Sequence, residues 1–170
     1  MIKRLSFVLC LSLFSIAFCN PRSIISQPHA LKSFRVNNNR QNEGTCTYSV
    51  SVRTSCLSTS YTRDQISLAF GDAYGNQVYA PRLDNPSSRA FERCSTDTFQ
   101  INGPCAYQIC YLYLFRNGRD GWRPKWVMVQ AHASSYYAQS QPVTFYYGTF
   151  IPMGVWFGFN HCAGHYVAPS

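Results

Sequence analysis

Three features of this 170-residue chain predict an all-β fold, an antiparallel β-sandwich of about eight strands stabilised by disulfides. Apolar and polar residues alternate over short runs, which is the period of a half-buried strand. Clusters of Gly, Asn and Asp separate the runs, and no apolar stripe is long enough for a helix of three turns. Six cysteines follow an export-like leader, an even number that implies cross-links. Composition agrees. Aromatic residues make up 16% of the chain and charged residues 13%, which excludes disorder over most of its length. One domain's worth of residues also excludes a multidomain enzyme and a polytopic membrane protein.

Residues 1–19 have the parts of a signal peptide: Lys3 and Arg4, then an apolar run from Leu5 to Phe18, then Ala17 and Cys19 at the positions read for cleavage. The apolar stretch falls short of the ~20 residues that cross a bilayer, so no transmembrane anchor is expected. Losing Lys3 and Arg4 takes the formal charge from +8 to +6. Residues 20–44 lack periodicity and carry Arg22, Lys32, Arg35 and Arg40 against Glu43, the make-up of a flexible basic arm. The folded unit is expected over residues 45–162, and residues 163–170 form a short tail.

Strands are expected where the alternation is cleanest. Tyr48, Val50 and Val52 point one way against Ser49, Ser51 and Arg53, and Ile66, Leu68 and Phe70 repeat the pattern. Gly71-Asp72 and Gly75-Asn76 mark turns. Gln77–Tyr79, Ala90–Cys94 and Thr98–Ile101 are shorter runs, and Ile109–Phe115 suits a central strand. Asn117-Gly118 and Asp120-Gly121 make a tight loop before Trp126–Val129, and Val143–Tyr147 and Val155–Phe159 complete the set. The candidate disulfide residues are Cys46, Cys56, Cys94, Cys105, Cys110 and Cys162, whose fifteen pairings the sequence leaves open. With no Cys-x-x-Cys pair present, a zinc site is not expected.

These residues resemble a known family. Cys46–Thr54 (CTYSVSVRT) and Ile66–Gly71 (ISLAFG) resemble the opening strands of the PLAT/LH2 domain, and Tyr113–Trp122 (YLFRNGRDGW) with Trp126–Val129 resembles its Gly-Trp turn and following strand. Within that group, the export signal, the cysteines and Thr62–Asn76 (TRDQISLAFGDAYGN) are most similar to the secreted plant embryo-specific proteins. The resemblance covers about residues 46–162. It implies a non-catalytic β-sandwich of the plant embryo or seed, in the apoplast or cell wall, whose role is to bind a lipid surface or another protein.

No enzyme is expected. Gly-x-Ser-x-Gly is absent, His132, His161 and His165 have no carboxylate partner in sequence, and six oxidised cysteines leave no nucleophilic thiol. No cofactor is required; calcium is the one metal the sequence admits, through loop acids Asp64, Asp72, Asp84 and Asp120. For surface binding the candidates are Trp122 among Arg119, Arg123 and Lys125, with Tyr136 and Tyr137 as a second aromatic tip. A packed Trp122 under its turn is the structural alternative. The leading expected partner is an extracellular protein or an acidic cell-wall polymer, for which twelve tyrosines and a basic arm are suited. A lipid surface is the runner-up, and export discounts nucleic acid despite the positive charge.

Overall fold

The alternation at Tyr48, Val50 and Val52 turns one face of a long strand wholly inward: all three are fully buried. That strand organises the second of two antiparallel sheets in the computed structural model, which describes residues 26–36, 46–85, 87–132 and 141–162. Among these residues there are nine strands: β1 (His29–Leu31), β2 (Cys46–Thr54), β3 (Gln65–Gly71), β4 (Gln77–Ala80), β5 (Thr96–Gly103), β6 (Tyr111–Asn117), β7 (Pro124–His132), β8 (Val143–Tyr146) and β9 (Trp156–Asn160). One sheet runs β1-β9-β6-β3-β4 and the other β5-β2-β7-β8. Ile66, Leu68 and Phe70 of β3 and Leu112 and Leu114 of β6 meet Val50 and Val52 of β2 and Val127 and Val129 of β7 in the core. Each such side chain contributes roughly 1.5–3 kcal/mol by leaving water. The all-β sandwich expected from the sequence is what forms.

The cysteines join as Cys46–Cys105, Cys56–Cys94 and Cys110–Cys162. They close loops with separations of 59, 38 and 52 residues, so chain entropy alone assigns each about 4 kcal/mol of stabilisation. Cross-links of this density belong to an oxidising compartment.

Two expectations are corrected. Ala90–Cys94 is not a strand but a turn, with Phe91 and Cys94 in the left-handed region at φ 65° and 61°. Phe91 is thereby brought to 5.0 Å from the Trp122 ring, and Cys94 faces Cys56; local alternation carries no sign of either tertiary demand. The folded unit also starts before residue 45. Within the stretch read as an arm, β1 pairs antiparallel with β9 from His29↔Gly158 to Leu31↔Trp156. Phe34 then lies against Trp156 and Tyr113, at 4.8 and 5.1 Å, on the outer face of the five-stranded sheet. Tyr111 and Phe115 of β6 share that face, so its aromatic surface is partly covered by the chain's own N-terminal segment. Residues 1–19, the arm outside 26–36 and the tail at 163–170 lie outside the described residues.

Candidate functional site

Every second connection returns to the same end of a sandwich, and here the loops 55–64, 81–95, 118–123 and 147–155 gather at one end. Asp64 organises them. It sits at the mouth of β3, 4% exposed, and its carboxylate accepts the main-chain N–H of Asp120 at 3.0 Å and of Gly121 at 3.1 Å. Arg116 at the end of β6 closes the pair by donating from Nη1 to Asp64 Oδ2. The same guanidinium donates to the carbonyls of Ile151, at 2.9 Å, and Gly118. One ion pair thus ties three loops. Gly118 is required beside it: at φ 148° a Cβ there would fall 2.0 Å from Asp64 Oδ1.

Trp122 is the plug of this end. It is fully buried, its indole Nε1 donates to Thr54 Oγ1 at 3.1 Å, and its carbonyl accepts the N–H of Ile151. As a surface-binding residue, Trp122 is therefore corrected: its indole is covered by Phe91 and held by a buried hydroxyl, so it cannot touch a ligand outside the fold. Arg119 and Lys125 around it are exposed. Arg123 is half-buried, donates from Nε and Nη2 to the carbonyl of Gly148, and lies 6.0 Å over the Phe150 ring. Tyr136 and Tyr137 lie outside the described residues.

What the loop tips do expose is apolar. Leu57 is 70% exposed, Met153 60%, Tyr61 53% and Phe150 48%. Arg63 lies 5.6 Å over Tyr61 and is itself held to Asp120 at 3.2 Å. The Asp120 carboxyl is held below the usual carboxylate range, first by the Arg63 side-chain hydrogen bond and then by the Arg63 main-chain N–H. Sequence reading missed Leu57, Tyr61, Phe150, Met153 and Arg63. A large apolar residue inside a stretch of turn formers, as at Thr149–Gly154, is the signal that finds them.

The four acids do not make a calcium site. Asp72 follows β3 at the far end, roughly 20 Å or more from Asp64 at about 3.3 Å per strand residue. It accepts from the N–H groups of Tyr74, Asn76 and Tyr107 and from Asn76 Nδ2. Asp84 faces Arg82 at 3.3 Å, Asp120 faces Arg63, and Asp64 faces Arg116. Calcium needs six to eight oxygens, whereas these carboxylates are surrounded by N–H donors and guanidinium groups. The donor set does not fit the ion, and among the described residues no three acids, cysteines or histidines gather as metal ligands.

Among the described residues there is one Ser–His hydrogen bond. Ser49 Oγ lies 2.6 Å from His132 Nε2, and Gln100 Nε2 donates to the same hydroxyl. The three side chains sit on neighbouring strands of an open sheet face, and no carboxylate among the described residues orients the imidazole. The pair is a cross-strand contact and lacks the elements of a hydrolytic triad.

A family model described as "Embryo-specific protein 3, (ATS3)" matches residues 33–162. The embryo-specific protein ATS3B of Arabidopsis thaliana is 56% identical over 139 residues, spanning 82% of this chain and 70% of the relative. Embryo-specific protein ATS3A of the same plant is 48% identical over 159 residues, spanning 93% and 85%. Among solved structures, coral 8R-lipoxygenase, described as activated by calcium via a C2-like domain, superposes with a TM-score of 0.51 at 21% identity. The match covers 66% of this chain and 17% of that one. Alpha toxin from Clostridium absonum gives 0.51 at 18% identity over 74% and 33%. These likenesses show a PLAT/C2-like fold alone, and this chain spans about a sixth of the lipoxygenase.

Proposed function

This chain belongs to the embryo-specific protein 3 family, and from that premise we propose that it is a secreted, non-catalytic binding module of the plant embryo or seed that docks by its Asp64 end on an anionic lipid surface. The observation that carries this reading is the apolar rim of Leu57, Tyr61, Phe150 and Met153 with arginines beside it. Apolar tips enter the boundary between headgroups and acyl chains, while exposed cations such as Arg119 and Lys125 meet headgroup charge at roughly 1 kcal/mol each. The Arg116–Asp64 pair and the buried Trp122 keep these tips in fixed relation, so little ordering is lost on docking. Flotation with vesicles containing anionic lipid tests it. The wild-type chain floats, and the double substitution Leu57→Asp with Met153→Asp stays behind while its melting temperature is unchanged. Failure of the wild-type chain to float overturns the reading.

A second reading is an extracellular protein partner. Tyrosine, phenylalanine, methionine and arginine are the residues enriched at the centre of protein interfaces, and a rigid rim of them suits a protein as well as a bilayer. Crosslinked pull-down from seed extract that retains a partner on the wild-type chain, and loses it on the same double variant, would favour this second reading over the first.

A further inference from the structure

Beside the apolar rim, the loops 55–64 and 81–95 line an open groove of about 580 Å³. That lies within the roughly 300–1,000 Å³ of small-ligand sites. Its walls carry three guanidinium groups, Arg63, Arg82 and Arg89, two carboxylates, Asp84 and Glu92, and the ring of Tyr61. Most of these charges face solvent: the side chains of Arg89, Arg63 and Glu92 are 92%, 75% and 47% exposed, whereas Asp84 is 8% exposed. Among the described residues, Arg82 Nε faces Asp84 at 3.3 Å and Arg89 Nε faces Glu92 at 3.8 Å. The forked Nη groups of Arg82 and Arg89 have no partner among the described residues. Arg63 is held from outside the groove by Asp120 and rests over Tyr61.

The two walls are fixed to each other. Cys56–Cys94 joins them, and Arg93 donates from its main chain to Ser60 O at 2.9 Å, from Nε to Ser58 O at 3.0 Å and from Nη2 to Ser60 Oγ at 3.2 Å. The main chain of both walls is therefore fixed before a ligand arrives, and the exposed arginine side chains are what it orders.

We infer that this groove binds an acidic sugar, a uronic-acid oligosaccharide, through the free forks of Arg82 and Arg89. A guanidinium fork matches a planar carboxylate in two parallel hydrogen bonds. Sugar hydroxyls are donors, and Asp84 and Glu92 stand ready to accept from them. The half-exposed Tyr61 ring offers a flat apolar face to the C–H side of a pyranose. The lining's mixed sign selects against a phosphate cluster: three cations against two anions leave one net positive charge, and phosphate oxygens have nothing to donate to the two carboxylates. This site needs no lipid; it shares Tyr61 with the rim, whereas Leu57 and Met153 lie outside its lining, so variants at those two positions separate the two readings.

Titration calorimetry of the mature, disulfide-bonded chain with a galacturonic acid trimer tests it. Saturable one-to-one binding is expected, lost with the methyl-esterified trimer, which keeps every hydroxyl but no carboxylate. Arg82→Ala with Arg89→Ala should weaken binding about tenfold or more at unchanged melting temperature. Leu57→Asp with Met153→Asp binds the trimer normally even if it no longer floats with vesicles. No saturable binding of the acid trimer overturns the inference; so does equal affinity for the methyl ester, for the double arginine variant, or for inositol hexaphosphate.

Discussion

Strand β3 carries a buried aspartate at each end, and the two ends are built differently. After the strand, Asp72 is enclosed by uncharged N–H donors from Tyr74, Asn76 and Tyr107. Beside it Tyr48 donates from its phenol to Pro104 O at 2.6 Å and accepts the N–H of Ala106, with burial first among the causes that raise the phenol's pKa. Two of the three disulfides, Cys46–Cys105 and Cys110–Cys162, close this same end. Before the strand, Asp64 meets a guanidinium, one disulfide joins the loops, and arginines and apolar tips face outward. Donors and cross-links are matched to acceptors at the Asp72 end. The Asp72 end still exposes the rings of Tyr74 and Tyr107, but at the Asp64 end guanidinium groups lie over exposed rings beside the apolar tips, the combination that suits an anionic partner.

The largest expected effect comes from breaking the charged knot. Asp64→Ala leaves the Arg116 guanidinium buried without its counter-charge, at a cost of roughly 3–5 kcal/mol, or about 10 °C in melting temperature. Asp72→Ala removes an acceptor from uncharged donors, some of which reach water, and costs about 2 kcal/mol. Chemical denaturation of both variants checks the order. Equal losses would remove the distinction between the two ends.

Opening cross-links sharpens the contrast. Cys46→Ser with Cys105→Ser and Cys56→Ser with Cys94→Ser should each lose roughly 2–4 kcal/mol, because the separations of 59 and 38 residues differ little in loop entropy. Only the second pair should also loosen the walls of the charged groove and weaken uronate binding. Unfolding midpoints with calorimetry on the same preparations separate the two effects. Smaller again is the change at the rim: Leu57→Asp with Met153→Asp alters stability by less than about 0.5 kcal/mol while abolishing flotation with anionic vesicles.

The sandwich was legible in the sequence because its signal is local. Val50 and Val52, or Ile66 and Leu68, alternate with polar neighbours and need no other part of the chain to be recognised. The cysteines were legible as a set, but their pairing depends on which loops meet. The site was hidden for the same reason. Asp120-Gly121 reads as an ordinary turn, and nothing near it in sequence announces Asp64, 56 residues away, as the acceptor for its N–H. Trp122 has arginines on either side in sequence and so reads as a surface tip, yet the ring is drawn inward by Phe91 from the loop 81–95 and by Thr54 at the end of β2. Phe34 reads as part of a flexible basic arm because its partners, Tyr113 and Trp156, are strands away.

The smallest effect concerns the exposed pair that frames the groove. Arg63 holds the Asp120 carboxyl below the usual carboxylate range, and the guanidinium is correspondingly raised above its ordinary value. A folded-state pKa lower than the unfolded one adds stability that is fully present above the unfolded value, about 3.9, and is lost as pH falls through the folded value. Both groups face solvent, so water and salt screen the contribution and its size is small. Carboxyl-detected NMR should place the Asp120 midpoint below that of a free aspartate, and Arg63→Ala should return it toward the ordinary value. Asp120→Asn should flatten the acid limb of the stability curve below about pH 4 and leave the melting temperature at neutral pH close to that of the wild-type chain. A midpoint that does not move in Arg63→Ala would mean that Asp120 is held by the loop main chain alone, and that Arg63 is free to turn wholly into the groove.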